Sequence, residues 1–241
     1  MKKQQFLDLI YKQLIVSCQA LEDEPLHGAM YMAKMGLAAK MGGAVAIRAN
    51  GKEDIIAIRE ATGLPTIGII KRDYPDSEVF ITPTLKEVSE LIESGTDVIT
   101  LDATFRDRPN GVTFKELVLY IRRNSSSLIM ADVSTVAEGI SAVEEGCDLI
   151  STTLSGYTPY SPQLEGPDFE LIKALTSTCK VPIIAEGRIS TPDEAVMAFQ
   201  NGAHSIVVGS AITRPQEITK KFVERIQKAD LKNVQVIKND D

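Results

Sequence analysis

Cysteine and histidine are both scarce in this 241-residue chain, which contains three cysteines and two histidines. Cys18, Cys147 and Cys179 cannot all pair, and none lies in a CxxC motif, so we expect no disulfide framework. All three lie in or beside apolar runs, which indicates buried residues in the reducing environment of the cytoplasm. His27 and His204 do not form a pair with the spacing of metal ligands, and we therefore expect no bound metal ion.

Long apolar segments are also missing. No window approaches the roughly 20 apolar residues of a membrane span, and Asp8 and Lys12 interrupt the N-terminal stretch, so neither membrane insertion nor a secretory signal is expected. The net charge of −7 argues against a nucleic-acid partner. No P-loop or GxGxxG motif occurs at a strand-to-helix turn, which argues against a nucleotide ligand.

What the sequence does contain is one unit repeated eight times, a short apolar run followed by an amphipathic stretch of helical length. The runs are nearly continuous in hydrophobicity, which is typical of parallel strands that are covered on both faces. The predicted strands are 14–19, 44–49, 66–71, 98–104, 128–133, 149–154, 183–187 and 206–209. This pattern predicts a single-domain α/β protein over residues 1–241, a (β/α)₈ TIM barrel preceded by a helical extension at 1–13. A doubly wound open sheet is the alternative.

Four predicted helices begin with the pattern Thr-x-x-Glu, at Thr84, Thr113, Thr135 and Thr191. In such a capping box the threonine and the glutamate satisfy each other's exposed backbone amides at the helix N-terminus. These motifs are structural. They mark the carboxyl end of each preceding strand, which is the end where barrel enzymes place their active sites.

Polar residues are concentrated at these carboxyl ends, where they cost free energy unless they are paired or used. They are Gln19, Arg48, Lys71, Arg72, Asp102, Asp132, Thr152, Thr153, Glu186, Arg188, Ser210 and Arg214, and the glycines Gly187 and Gly209 lie among them. Five are cations in an acidic chain, which predicts an anionic small molecule as the ligand. Gly187, Arg188, Gly209 and Ser210 follow strands 7 and 8, where barrels frequently bind phosphate.

Lys71 is the candidate general base. It closes a buried apolar run near Arg48 and Arg72, and both burial and neighbouring positive charge favour its neutral amine. Glu186 and Asp132 offer carboxylates for proton transfer or for holding hydroxyl groups. Asp102 is a weaker candidate, because the residues after it could continue the strand and bury its side chain.

Nine segments across nearly the whole chain carry a resemblance to a known family. They include LIVSCQALEDEPLH (14–27), PTIGIIKRDY (65–74), STTLSGYT (151–158), AEGRISTP (185–192) and VVGSAITRPQEIT (207–219). The chain resembles the bacterial NanE-type N-acetylmannosamine-6-phosphate 2-epimerases. The resemblance implies a barrel without a cofactor, in sialic acid and amino-sugar catabolism.

Residue roles also follow from the resemblance. It implies that Lys71 is the catalytic lysine, that Glu186 is the catalytic carboxylate, and that Arg48 and Asp132 lie in the site. It implies substrate contacts for Gln19 and Arg214, to which the strand-end position of Thr153 adds a third. It further implies a homodimer, with the last helix, residues 215–229, as the interface.

These observations predict an epimerase that interconverts N-acylmannosamine 6-phosphate and N-acylglucosamine 6-phosphate at carbon 2. Two other hypotheses remain open from the residues. Lys71 could form a Schiff base in an aldolase or lyase, or the barrel could bind a sugar phosphate without catalysis.

Overall fold

The computed structural model describes residues 2–229, and its core is a closed barrel of eight parallel strands. Each strand pairs with the next in sequence, and β8 pairs with β1. The strands are β1 Leu14–Cys18, β2 Ala46–Asn50, β3 Thr66–Ile69, β4 Val98–Asp102, β5 Leu128–Asp132, β6 Leu149–Ser151, β7 Ile183–Glu186 and β8 Ser205–Val208. The predicted (β/α)₈ fold is therefore confirmed.

Helices precede, connect and follow the strands. They are α1 Lys3–Ile10, α2 Ala29–Met41, α3 Lys52–Thr62, α4 Leu85–Ser94, α5 Phe114–Asn124, α6 Val136–Glu144, α7 Phe169–Thr178, α8 Pro192–Gln200, α9 Ser210–Thr213 and α10 Pro215–Gln227. The single domain was predicted over residues 1–241. Residues 1 and 230–241 of that range, including the end of the chain after α10, lie outside the described residues. Within residues 2–229 no helix is both long enough and apolar enough to cross a bilayer.

The N-terminal end of the barrel is closed by α1. Phe6, Leu7 and Ile10 of this helix are buried in one apolar cluster with residues from the barrel strands. His204 lies at this same end, where its Nε2 is 2.9 Å from the Leu7 carbonyl oxygen. Because apolar side chains fill this end, the opposite end, where the strands terminate, is left for polar side chains.

The four capping boxes form as predicted. Thr84, Thr113, Thr135 and Thr191 each cap a helix, and a glutamate three residues later bonds back to the cap amide. The Glu138 carboxylate, for example, accepts a hydrogen bond of 2.9 Å from the Thr135 amide. These caps fix the direction of the chain where it leaves the carboxyl ends of the strands.

The outer face of β3 packs against α3 and α4 so closely that only glycine fits at position 68. A Cβ atom there would lie 2.8 Å from Leu91 Cδ2 and 2.9 Å from Ile55 Cδ1, and both of these side chains are fully buried. The close approach of the helices therefore depends on the missing side chain.

We expect Gly68→Ala to lower the free energy of unfolding by about 1–3 kcal/mol, because the added methyl group overpacks this interface. Urea unfolding monitored by circular dichroism measures the change. Gly42→Ala is the matched control, since a Cβ there meets nothing closer than the Ala39 carbonyl oxygen at 3.4 Å. Equal stability of the two variants would contradict the packing argument.

Candidate active site

A cavity of about 430 Å³ opens at the carboxyl ends of the strands. The sequence assigned a catalytic, substrate-binding or phosphate-binding role to eleven residues. Nine of them line this cavity, namely Gln19, Lys71, Thr153, Glu186, Gly187, Arg188, Gly209, Ser210 and Arg214. The other two, Arg48 and Asp132, lie beneath the cavity, where they are almost completely buried. The structure therefore brings the predicted residues together at one place.

A buried ion-pair network supports this cavity from below. The Arg48 guanidinium of β2 reaches across the barrel to Asp132 of β5, with an Nη2–Oδ2 distance of 2.5 Å. Its Nη1 lies 2.5 Å from Glu186 Oε2 of β7 and 3.0 Å from Asp132 Oδ1. One guanidinium, with a side chain only 1% exposed, thus pairs with two carboxylates from two different strands.

The two charge types respond to burial in opposite ways. Burial alone would lower the pKa of Arg48, but Asp132 and Glu186 together hold it above its ordinary value. Burial raises the pKa of Glu186, and the nearby charge of Asp132 raises it further, although Arg48 opposes both effects. Glu186 therefore keeps its proton to a higher pH than an ordinary glutamate does.

Lys71 is placed by a short antiparallel excursion of the chain after β3. Its backbone bridges Ile81, and its amide donates to Asn50 Oδ1 over 2.8 Å. Thr82 closes the excursion with its amide 2.8 Å from the Ile70 carbonyl oxygen. Thr82 has a φ of 46°, which is rare for a β-branched residue and is typical of strained functional sites.

The Lys71 ammonium has no hydrogen-bond or ion-pair partner among residues 2–229. Burial lowers its pKa to about 8, and the positive charges of Arg48 and Arg214 act in the same direction. A lysine whose pKa is close to neutral carries an appreciable fraction of free amine under ordinary conditions. Lys71 therefore has the protonation behaviour of a general base.

Gln19, Thr153 and Arg214 surround the cavity with unused or partly used polar groups. Gln19 Nε2 donates to Ser17 Oγ over 2.7 Å, while its buried Oε1 has no partner in the part of the chain that the structure describes. Arg214 Nη2 is 2.9 Å from Glu24 Oε2. Thr153 donates to Asp132 Oδ1 over 2.8 Å. The orphaned Gln19 oxygen is suited to accept a hydrogen bond from a ligand hydroxyl.

The four residues predicted to bind phosphate lie together where β7 and β8 end. Gly209 packs against β1 so closely that a Cβ atom would lie 3.3 Å from Ser17 Cβ. Arg188 directs its Nε to the Gly166 carbonyl oxygen, 2.7 Å away, and its Nη1 to the Ser155 carbonyl oxygen. At least two donors of the Arg188 side chain are therefore engaged within the protein.

Two other strand-end residues lie away from the cavity. Arg72 was expected to face the mouth, but it pairs with Glu87 and Glu90 on α4, because adjacent residues of an extended chain point to opposite sides. Asp102 is fully buried and accepts hydrogen bonds from Thr104 and Arg106. The cationic cluster at the mouth is therefore one residue smaller than the sequence indicated.

The sequence did not identify the apolar part of the cavity lining. Phe80 and Ile81 line it from the excursion after β3, and Leu154 and Tyr157 line it from the loop after β6. Of these four residues only Leu154 ends a predicted strand. An apolar residue at a strand end does not by itself indicate a binding site. Ile81 reaches the cavity because it pairs with Lys71 in antiparallel fashion, and the sequence pattern does not predict such a tertiary contact.

Metal ligands are not assembled here. Across residues 2–229, no group of three histidine, cysteine, aspartate or glutamate side chains is arranged to hold a metal ion. His27 lies in the loop after β1, where its Nδ1 is 3.4 Å from the Ala20 carbonyl oxygen.

We expect Arg48→Met to lower the free energy of unfolding by about 3–5 kcal/mol near neutral pH, because it leaves two buried carboxylates without their cation. The loss should shrink as the pH falls from the alkaline side to about 7, the pKa of Glu186 in the parent chain, and should change little below it. Without Arg48 the already raised pKa of Glu186 rises further, so above about pH 7 the folded variant keeps a proton that the folded parent has lost.

Urea unfolding of Arg48→Met and of the parent chain across this pH range measures the effect. Lys52→Met is the control, since Lys52 forms an exposed pair with Glu93 and its loss should change stability little. A loss for Arg48→Met that does not depend on pH would show that buried charge is not its cause.

Comparison with known proteins places this site in a family. The NanE family model, "Putative N-acetylmannosamine-6-phosphate epimerase", matches residues 32–228. A relative from Clostridioides difficile (strain 630), "Putative N-acetylmannosamine-6-phosphate 2-epimerase", is 57% identical over 221 residues, covering 92% of this chain and 99% of that protein. A relative of the same description from Caldanaerobacter subterraneus subsp. tengcongensis is 55% identical over 232 residues, covering 95% and 98%.

A solved structure agrees with these sequence matches. The N-acetylmannosamine-6-phosphate 2-epimerase from Clostridium perfringens superposes with a TM-score of 0.90 at 56% identity, over 91% of this chain and 96% of that chain. The resemblance identified from the sequence is therefore confirmed. The chain belongs to the NanE family of epimerases and is an isomerase.

Proposed function

We propose that this enzyme interconverts N-acyl-D-mannosamine 6-phosphate and N-acyl-D-glucosamine 6-phosphate by inverting carbon 2. The observation that carries the proposal is Lys71, an amine with a lowered pKa and no partner among residues 2–229, inside a cavity that also holds Glu186. The names of the similar proteins support the choice of sugar. We further propose that it acts in the cytoplasm, in the breakdown of sialic acid and amino sugars.

The chemistry begins on the open-chain sugar, since the proton on carbon 2 is acidic only beside the free aldehyde. The neutral amine of Lys71 removes this proton and becomes an ammonium ion. The electron pair of the broken C–H bond forms an enolate, whose negative charge rests on the aldehyde oxygen. The positive charges of Arg48 and Arg214 favour both the neutral amine before the step and the enolate after it.

The second step returns a proton to carbon 2 from the opposite face. In one route Lys71 returns it after the intermediate turns over, and in the other Glu186 supplies it. The raised pKa of Glu186 suits the second route, because a protonated carboxyl near neutral pH can act as an acid. The two routes differ in how much solvent deuterium the product carries after one turnover.

The lining of the cavity orients the substrate. The phosphate binds at the ends of β7 and β8, where Gly187, Gly209 and Ser210 line the cavity and backbone amides would be its donors. Carbon 2 then lies toward Lys71, and the acyl group that it carries faces the apolar side chains of Phe80 and Leu154. This arrangement places a charged and an apolar part of one ligand against matching surfaces.

We expect Lys71→Ala to abolish exchange of the carbon-2 proton with solvent deuterium, because alanine has no group that can accept the proton. Proton NMR of the sugar phosphate in D₂O measures the exchange. In the parent enzyme the exchange rate should rise as the pH passes through about 8, where Lys71 loses its proton.

Inorganic phosphate provides the control, since it should bind Lys71→Ala almost as well as the parent protein. Exchange that survives the substitution would remove Lys71 from the mechanism. Borohydride treatment with substrate addresses the Schiff-base alternative: an epimerase that works by proton transfer gives no covalent adduct, and an adduct on Lys71 would instead support an aldolase or lyase.

We also propose a homodimer in which α10 is covered by a second copy of the chain. Among the described residues, α10 has no buried side chain, although its pattern is amphipathic. Phe222 is 67% exposed and Ile226 is 58% exposed. Helix α2 exposes Met30 and Met41 as well, so apolar surface is available on both elements.

The double variant Phe222→Ser/Ile226→Ser should be monomeric at concentrations where the parent chain is a dimer, because it removes the apolar contact of α10. Sedimentation velocity measures the oligomeric state, and Lys220→Ser on the same helix is the matched control. A parent chain that remains monomeric at concentrations on the order of 100 μM would overturn the proposal.

A further inference from the structure

The side chain of Arg188 joins the two ends of the loop between β6 and α7, residues 152–168. Its Nε donates to the Gly166 carbonyl oxygen over 2.7 Å, and its Nη1 donates to the Ser155 carbonyl oxygen. Ser155 lies near the start of this loop and Gly166 near its end. A charged group that donates to two carbonyl oxygens makes strong hydrogen bonds, so one side chain holds both ends of the loop.

The backbone of Arg188 is unusual in a way that serves this contact. Its φ is 57°, a left-handed conformation that non-glycine residues seldom adopt, and it comes two residues after Glu186. Such strain persists only where the surrounding structure holds it in place. The left-handed turn at the end of β7 sends the guanidinium sideways to the neighbouring β6–α7 loop.

The loop is shaped to receive the guanidinium. Gly156 has a φ of 80°, and a Cβ atom on it would overlap Arg188 Nη1 and lie 2.9 Å from Arg188 Cζ. The Gly156 amide donates to Ser161 Oγ over 2.8 Å, which fixes the turn at that point. Arg188 and Gly156 therefore require each other.

The same loop forms one wall of the cavity. Leu154 and Tyr157, on either side of the segment that Arg188 binds, both line it, and so does Glu165 beside Gly166. Ser155 Oγ also donates to Asp168 Oδ2 over 2.7 Å, but that bond joins the loop only to its own far end. Thr152 ties the start of this wall to Glu186 of β7 by two hydrogen bonds, and Arg188, two residues after β7, ties its further part through Ser155 and Gly166.

We propose that Arg188 is a positioning residue that holds the β6–α7 loop at the mouth of the barrel, and that its guanidinium serves the loop instead of the substrate phosphate. The proposal goes beyond the proposed function and depends on it only for the kinetic assay. The first test below uses no substrate, so failure of the epimerase assignment leaves the test intact.

Hydrogen–deuterium exchange of the ligand-free protein tests the contact directly. In Arg188→Ala and Arg188→Lys, the amides of residues 155–166 should exchange at least about tenfold faster than in the parent protein, while the amides of the barrel strands are unchanged. A residue that only contacts phosphate would leave exchange in the ligand-free protein unaltered, and that result would overturn the proposal.

Kinetics then separate positioning from a purely structural role. Because Leu154 and Tyr157 line the cavity and the Lys71 backbone is held by other bonds, KM should rise by roughly tenfold while kcat changes little. Arg188→Lys should be as impaired as Arg188→Ala, since lysine cannot reach both carbonyl oxygens. If Arg188→Lys instead restores the parent KM and the parent sensitivity to inhibition by inorganic phosphate, the charge at position 188 contacts the phosphate directly.

A second variant approaches the same contact from the loop. Gly156→Ala should displace the guanidinium and reproduce the exchange pattern of Arg188→Ala, and the double variant should add little to either change. Gly166→Ala is the control in the same loop, because its Cβ meets only Glu194 Oε1 at 3.6 Å. Fully additive effects of Gly156→Ala and Arg188→Ala would refute the shared contact.

Discussion

The bridge from Arg48 to Asp132 and Glu186 is the interaction on which the rest of the site depends. Three strands, β2, β5 and β7, each contribute one charged side chain to a place that water scarcely reaches. Two carboxylates could not remain ionised there without a cation, and a lone guanidinium would be equally costly. The barrel brings the three together because the residues that end parallel strands meet at one rim.

This bridge determines the chemistry above it. Burial is the main cause of the lowered pKa of Lys71, and the charge of Arg48 acts in the same direction, while Glu186 and Asp132 oppose it. Glu186 is the only member of the bridge that lines the cavity, and burial there raises its pKa. An amine and a carboxyl group whose pKa values approach each other are well suited to moving a proton on and off a carbon atom.

The sequence predicted the barrel, and nine of its eleven site candidates line one cavity, because both depend on periodic features. Eight apolar runs and four capping boxes determine where strands end, and therefore which polar residues share the mouth. The direction of an individual side chain was less accessible. Arg72 follows Lys71 by one position yet faces α4, and the guanidinium of Arg188 binds two carbonyl oxygens of a loop whose course no local pattern encodes. Phe80 joins the cavity through a tertiary pairing that sequence periodicity does not reveal.

The proposed chemistry requires that the Lys71 amine loses its proton near neutral pH inside this site. An NMR titration of the protein with labelled lysine side chains, assigned by comparison with Lys71→Met, measures that pKa without substrate or turnover. We predict a pKa of about 8 for Lys71, well below the ordinary 10.5 of a lysine. A side chain that titrates at its ordinary value would contradict the claim and leave the enzyme without its base.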